Sequence, residues 1–181
     1  MKKRILSILV VFCLCLSAFP ISVLASETEE ITILYTNDVH TYIDGDITYS
    51  KLASLKDTYE NVLLLDAGDH IQGTAYGSTD KGKTIIELMN ATGYDVATLG
   101  NHEFDFGLES LKAMAEVADF PILDANVISK ETGSPYLDDN EIFCFDDMKV
   151  GVFGLDTPET QTKSSPKNVK DVTFLDGAEL Y

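Results

Sequence analysis

Three short segments of this chain carry side chains able to hold a divalent cation: Asn37-Asp38-Val39-His40, Asp66-Ala67-Gly68-Asp69-His70 and Gly100-Asn101-His102-Glu103-Phe104-Asp105. Two carboxylates (Asp38, Asp69), an imidazole (His40) and a carboxamide (Asn101) make a donor set that Zn, Mn, Fe, Mg and Ca accept in differing degree, imidazole favouring the transition metals. Asp38 and His40, two apart, both reach one ion if the chain curls there. Asp69 suits a bridge between two ions, and Asn101 the second of them. His102 and Asp105 form another constellation: a carboxylate three residues on orients an imidazole and raises its basicity, as acid–base chemistry requires.

Each residue also has a plainer reading. Singly, Asp38 and Asp69 read as turn or helix-capping residues, His40 as a surface histidine, Asn101 beside Gly100 as a turn, and Asp105 as the cap of the helix that follows. The metal reading rests on three separate segments carrying ligand types together. Nothing fixes the direction of His70, which is left out of the ligand set. Glu103 is expected to act as an acceptor, either for the backbone or for groups behind the ligands, and Phe104 to sit in the core, while Gly68 and Gly100 let the backbone bend beside the site.

Such segments need elements that bring them to one place. Ile31 to Thr36, Val62 to Leu65, Asp95 to Leu99 and Pro121 to Leu123 are short apolar runs with strand character. Helical patterns lie between them. Leu52, Leu55 and Tyr59 share a face from about Ser50. Ile85, Leu88, Met89 and Thr92 follow a Thr84–Glu87 capping box, and Leu108, Leu111, Ala115 and Ala118 mark a third helix. Strands alternating with helices imply parallel units. Asp38 and Asp69 are 31 residues apart, and Asp69 and Asn101 are 32 apart, which matches one βαβ turn of about 30 residues. The three segments therefore return to the carboxyl edge of one sheet, where open α/β sheets bind ligands.

Beyond residue 125 the pattern changes. Asn126 to Asn140 reads as a polar loop. Ile142–Phe145 and Val150–Leu155, joined by Asp146-Asp147-Met148-Lys149, read as an antiparallel hairpin, with Cys144 as a small core residue. Thr157 to Asn168 is a second polar loop, and Val172 to Leu175 a further strand.

The first 25 residues read as a secretory signal peptide: Lys2, Lys3 and Arg4, then the apolar stretch Ile5 to Ala18, then Val23-Leu24-Ala25 before the cut. Ser17 and Pro20 break the stretch, which is short for a membrane span, so no stable span is expected after cleavage. The whole chain has 13 basic and 30 acidic residues, net −17. Three of the basic residues fall in the leader and none of the acidic ones, leaving 10 against 30, or −20, for residues 26–181. That field excludes nucleic-acid polymers and anionic membranes as partners. Residues 26–181 contain no Arg, so positive charge for binding a phosphate has to come from metal ions or from elsewhere in the protein.

With Tyr94 and Leu99 at fitting spacing before it, Gly100-Asn101-His102-Glu103-Phe104-Asp105 resembles the second signature of the 5'-nucleotidase family. Asn37-Asp38-Val39-His40 is similar to the Asp-x-His element of calcineurin-like metallophosphoesterases, and Asp66-Ala67-Gly68-Asp69 to their Gly-Asp element. The resemblance covers residues 31 to 175. It implies an α/β fold, a four-layer α/β/β/α metallophosphoesterase sandwich incomplete at the C-terminus, with residues 26–181 as its N-terminal part.

The resemblance also implies two divalent metal ions, Zn, Mn or similar, with Asp38, His40 and Asp69 on the first, Asp69 and Asn101 on the second, and His102 with Asp105 as the catalytic dyad. The implied protein is secreted or extracytoplasmic, with attachment to the cell surface as one form of that, and hydrolyses a nucleotide or another small phosphate ester. UDP-sugars, 2',3'-cyclic nucleotides or sulfur esters are the alternatives within the family, and an inactive secreted metal-binding remnant is the alternative outside it. There are departures. Thr41 stands where the family usually has Gly, and Tyr35 where a small set including His or Glu is usual. The family's later His ligands have no counterpart after His102, and its C-terminal nucleoside-holding domain is expected but missing.

Overall fold

In this computed structural model residues 30–180 are described; the leader, residues 1–25, lies outside them. Four parallel strands form the central sheet in the order β1 (Thr32–Thr36), β2 (Val62–Asp66), β3 (Val96–Thr98), β4 (Ile122–Leu123). Thr32 pairs with Val62, Leu65 with Val96 and Ala97 with Ile122. All four sequence-predicted strands are present, in chain order and in parallel, so all leave the sheet at one carboxyl edge.

The crossovers are α1 (Tyr49–Lys56), α2 (Ala75–Ser78) with α3 (Lys83–Thr92), and α4 (Leu108–Val117). Helix α3 packs against α1, α2 and α4. The core between helices and sheet includes Leu64, Ile85, Ile86, Met89, Phe104, Leu111 and Met114, all at most 3% exposed. The helical faces differ in detail from the sequence reading. Leu52 is buried, but Leu55 and Tyr59 are 43% and 41% exposed, because α1 ends at Lys56 and only its first turns meet the core. The Thr84–Glu87 box does not cap α3. Asp80 does so: its Oδ2 accepts from Thr84 N at 2.9 Å and from Thr84 Oγ1 at 2.6 Å. A carboxylate one turn earlier is the stronger acceptor at a positive helix start.

After β4 the chain forms β5 (Val127–Ser129), the hairpin β6 (Asn140–Phe145) and β7 (Met148–Phe153), the short helix α5 (Thr160–Lys163), and β8 (Val172–Phe174). The hairpin is antiparallel as expected, but its turn is only Asp146-Asp147: Met148 and Lys149, read as part of the connection, pair with Phe145 and Cys144. Cys144 is exposed rather than buried, since it lies opposite Lys149 in a two-stranded ribbon whose outer side faces solvent. Strand β5 lies within the stretch read as loop. It pairs antiparallel with β8, Val127 opposite Phe174. Asn126 makes this possible: its Nδ2 donates to the carbonyls of Asp156 and Leu175 at 2.7 and 2.8 Å, and its Oδ1 accepts from Asp156 N at 2.8 Å.

The result is a mixed α/β fold on a parallel sheet, with helices on one face. The alternation in β1 sends Leu34 to the helix side and Ile33 and Tyr35 to the other, where they are 44% and 71% exposed. Among the described residues the second sheet of a full sandwich is represented only by the separate pairs β5–β8 and β6–β7.

Two buried carboxyls join these pieces. Asp124, just past β4, accepts from the N–H groups of Asn126 and Val127 through Oδ1, both at 3.1 Å. Asp156 accepts from Thr160 Oγ1 at 2.8 Å. The Oδ2 atom of each is buried without a hydrogen-bond partner. Burial pushes Asp124 up to about 7, partly offset by its two N–H donors. Burial also pushes Asp156 up to about 8, with the Asp124 charge adding and Thr160 opposing. Both groups hold protons more tightly when folded than at the ordinary value of 3.8. Their stabilising contribution is therefore complete below about pH 4 and is lost as pH rises towards 8, by at most about 1.4 kcal/mol per pH unit per proton. Urea unfolding in EDTA at pH 5, 6.5 and 8 should show stability falling across the series. Asp156→Asn should flatten that slope, and an unchanged slope would exclude Asp156 as a source of it.

Candidate metal centre

The carboxyl edge of the sheet carries three loops, stitched to one another through their backbones. Ala67 N donates to Thr36 O, Asp38 N to Gly68 O at 3.1 Å, and His40 N to Asp69 O at 2.9 Å. These bonds lay the Asp38–His40 loop along the Gly68–Asp69 loop. The join to the third loop runs through side chains. Glu103, fully buried, accepts from the N–H groups of Asp69 and Gly100 through Oε2, both at 2.8 Å, and from those of His70 and Ile71 through Oε1, at 2.9 and 3.3 Å. Asp69 Oδ1 in turn accepts from His102 N at 2.8 Å.

The loops close only because two glycines meet between them. A Cβ on Gly68, itself at φ 97°, would lie 2.4 Å from Gly100 N. One on Gly100 would lie 2.5 Å from Asp69 Oδ1. Gly100 is extended at φ −116°, so what it supplies is space for the Asp69 carboxylate rather than the expected bend. Four neighbouring residues that are not glycine, Asp38, His40, Thr41 and Asp69, have φ between 46° and 60°, a left-handed region that is sparsely used away from functional sites.

Ligand atoms of His40, Asp69 and His102 lie within 4.8 Å of one another, and the two rings are edge-on with centroids 5.0 Å apart. His40 Nδ1 is 3.0 Å from the Gln72 carbonyl. A carbonyl only accepts, so Nδ1 carries the proton and Nε2 presents a lone pair, as an imidazole ligand requires. Asp38 is outside the three-residue group but close to it. Its Oδ1 is 3.8 Å from His40 Nε2, its side chain is 63% exposed, and Asn37 Nδ2 holds its other oxygen at 2.8 Å. Asn101 opens a 3-10 turn, Asn101–Phe104, directly before His102. Asp105 Oδ2 is 2.7 Å from His102 Nδ1, which leaves Nε2 for the site. His102 has a raised pKa: burial would lower it, but the Asp105 hydrogen bond and charge, with help from Asp69, outweigh burial. Asp69 is also raised, by burial first and the Glu103 charge second, against the His102 N–H and the nearby imidazoles. A half-buried carboxylate beside the Nε2 lone pair of His40 is a donor set that fits a divalent ion, while His102, paired with Asp105, faces the same spot.

His70 lies outside this group. It is fully buried, with Nδ1 2.8 Å from Asp66 Oδ1 and 3.6 Å from Glu103 Oε1. Burial would lower its pKa, but Glu103 and Asp66 raise it to about 9, so it is the counter-charge to two buried carboxylates. The sequence reading missed this pairing, as it missed two braces from the loop after β7. Ser164 Oγ donates to Asn101 O and Asn168 Nδ2 to Asp105 O, both at 2.8 Å. No local pattern marks any of them, because the partners are 4 to 63 residues away.

Residues 31–176 match the family of calcineurin-like phosphoesterases, and the chain belongs to that family of hydrolases. Its relatives include snake venom 5'-nucleotidase from Gloydius brevicauda, 38% identical over 86% of this chain and 29% of that protein. The NAD nucleotidase NadN of Haemophilus influenzae has a similar solved structure, with a TM-score of 0.71, 33% identity, and coverage of 84% of this chain and 30% of that one. The calcineurin-like phosphoesterase YfkN of Bacillus subtilis gives a TM-score of 0.71 at 31% identity, covering 82% and 55%. The chain thus spans less than a third of the length of the curated relatives it matches. Among the described residues no helix is long and apolar enough to cross a membrane.

Two measurements probe the geometry. Gly100→Ala should leave the sheet folded but displace the Asp69 carboxylate, weakening Mn2+ binding by about tenfold or more in a calorimetric titration; unchanged affinity would show that the space is not needed. Asp105→Asn removes the charge that holds the His102 proton. The His102 ring should then titrate at lower pH in an NMR series, and an unmoved midpoint would separate the two residues.

Proposed function

We propose that this chain carries the metal-binding end of an extracytoplasmic metallophosphoesterase that hydrolyses nucleoside 5'-monophosphates. The observation that carries the reading is the convergence of His40, Asp69 and His102 on one spot at the sheet's carboxyl edge. Relatives named 5'-nucleotidase support the substrate class, and the signal-like residues 1–25 support a place outside the cytoplasm.

In this proposal Asp38, His40 and Asp69 would hold one divalent ion and Asp69 with Asn101 a second, Zn or Mn suiting the donor set. When bound, the ions lower the pKa of an attacking water and neutralise charge on the phosphoryl oxygens. The remaining work belongs to the chain. Gln72 O fixes the His40 tautomer so that Nε2 faces the site, and His102 N–H aims the Asp69 carboxylate. Asp105 accepts from His102 Nδ1–H and so aims Nε2 at the site, and its charge favours the protonated ring, whose Nε2–H would donate to the phosphoryl group while charge builds on its oxygens. Water adds to phosphorus, the P–O ester bond breaks, and the departing nucleoside oxygen takes up a proton. Residues 26–181 have no Arg, so no guanidinium clamp is available and in this proposal the ions and His102 supply the positive charge next to the phosphate dianion.

Phosphate release from AMP, with Mn2+ or Zn2+ present, is the test, with a UDP-sugar, 2',3'-cyclic AMP and thiosulfate compared alongside. AMP should be the preferred substrate, and His102→Ala should lower kcat by roughly 10²- to 10⁴-fold with little change in KM. Preference for another ester would move the substrate within the family. Metal binding without any ester cleavage would replace the proposal with a metal-binding protein.

A further inference from the structure

A carboxylate has four lone-pair directions, two on each oxygen, and a fully buried one needs partners for them. Glu103 fills all four with backbone N–H groups: Asp69 and Gly100 on Oε2, His70 and Ile71 on Oε1. Three of these donors belong to the loop after β2 and one to the loop before His102. Its Oε2 atom is therefore a single point shared by the backbone of Asp69 and the backbone just before Asn101. The side chains of these two loops gather at the candidate metal centre, while Glu103 lies beneath it, 0% exposed, its charge opposed by His70.

We infer that Glu103 is a positioning residue for metal binding: one buried carboxylate sets the placement of Asp69 relative to Asn101 and His102 before any ion arrives. The inference rests on the metal-binding reading above. The chemistry of the acceptor makes it specific. Glutamine is the same size, but its amide nitrogen is a donor. Glu103→Gln would set an NH2 group against two backbone N–H groups, on either oxygen's side, and the two loops would part. Glu103→Asp keeps four acceptor directions and shortens the reach by one methylene.

The test is Mn2+ affinity, measured by calorimetry well below the unfolding temperature of each variant, with thermal unfolding in EDTA recorded alongside. Glu103→Gln is expected to raise the Mn2+ Kd by about 10- to 100-fold, the range for residues that orient ligands, and Glu103→Asp to recover most of that loss. A lowered unfolding temperature with a Kd within twofold of the parent would overturn the inference and leave Glu103 a stabilising residue only. Absence of Mn2+ binding by the parent chain would instead bring down the metal-binding reading, and the inference with it.

A measurement on the parent protein covers the case in which both variants fail to fold. If Glu103 positions the loops in advance, the amides of Asp69, His70, Ile71 and Gly100 are already protected from hydrogen exchange in EDTA, and Zn2+ changes them little. Exchange at exposed-loop rates in EDTA, slowed only when Zn2+ is added, would mean that the ion builds the arrangement, and would refute the inference.

Discussion

The site depends on how the chain satisfies its backbone amides once it leaves the parallel ladder. At the carboxyl edge of β1, β2 and β3 those N–H groups turn inward, and each one buried without an acceptor costs about 1–3 kcal/mol. Between the first two loops the answer is other backbone: Asp38 N on Gly68 O and His40 N on Asp69 O. Between the second and third it is the Glu103 carboxylate and the Asp69 side chain. Satisfying the backbone in this way fixes the loops against each other, and the side chains of His40, Asp69 and His102 are brought together as a consequence.

The same arrangement sorts the charges. Asp66 and Glu103 lie below the loops, buried, with His70 between them as counter-ion. Asp38 and Asp69 lie above, at the rim, with no Lys in hydrogen-bond contact; their close partners are backbone N–H groups, Asn37 and imidazoles. The floor thus has one imidazole against two carboxylates, while the rim carboxylates have no ion pair with a Lys among the described residues. In a chain with net charge −17 such an acidic rim has an evident use for a divalent cation, because the ion supplies the attraction for a phosphate that the surrounding field denies.

The parts of this that could be read from the sequence share a cause. β1 to β4 are short apolar runs whose spacing matches a βαβ repeat, so their order and common edge follow from local pattern. Glu103 was legible as a structural acceptor from its place between two candidate site residues, though not as buried nor as the acceptor of four backbone N–H groups. What escaped depends on partners distant in the chain. Strand β5 has only Val127 and Ile128 as apolar residues, and its pairing comes from β8, some 45 residues on. Cys144 looked buried because an apolar run was read without its two faces. Asp80 outcompetes Thr84 as the start of α3 through geometry that residue type alone does not give. His70 was set aside for want of a direction, and the direction comes from Asp66, one helical turn earlier in numbering but on a strand.

The departure at Thr41 has a physical explanation in the strained backbone beside it. Asp38, His40 and Asp69 all adopt left-handed φ values, at about 1–2 kcal/mol each for an ordinary L-residue. Asp and His are among the side chains that tolerate this region best, so the residue types that suit a cation also suit the backbone that presents them. Thr41, at φ 60°, is different: a β-branched side chain is poorly matched to this conformation, and glycine is the natural occupant. Here the mismatch is offset locally. Thr41 is fully buried, its Oγ1 lies 2.7 Å from Thr74 Oγ1 and accepts from Thr74 N at 2.6 Å. Its methyl fits because residue 77 is glycine, whose Cβ, if present, would lie 2.4 Å from Thr41 Cγ2. The loop after β1 is thereby tied to the start of α2 by side chains, so that His40, the residue before, is held from both sides.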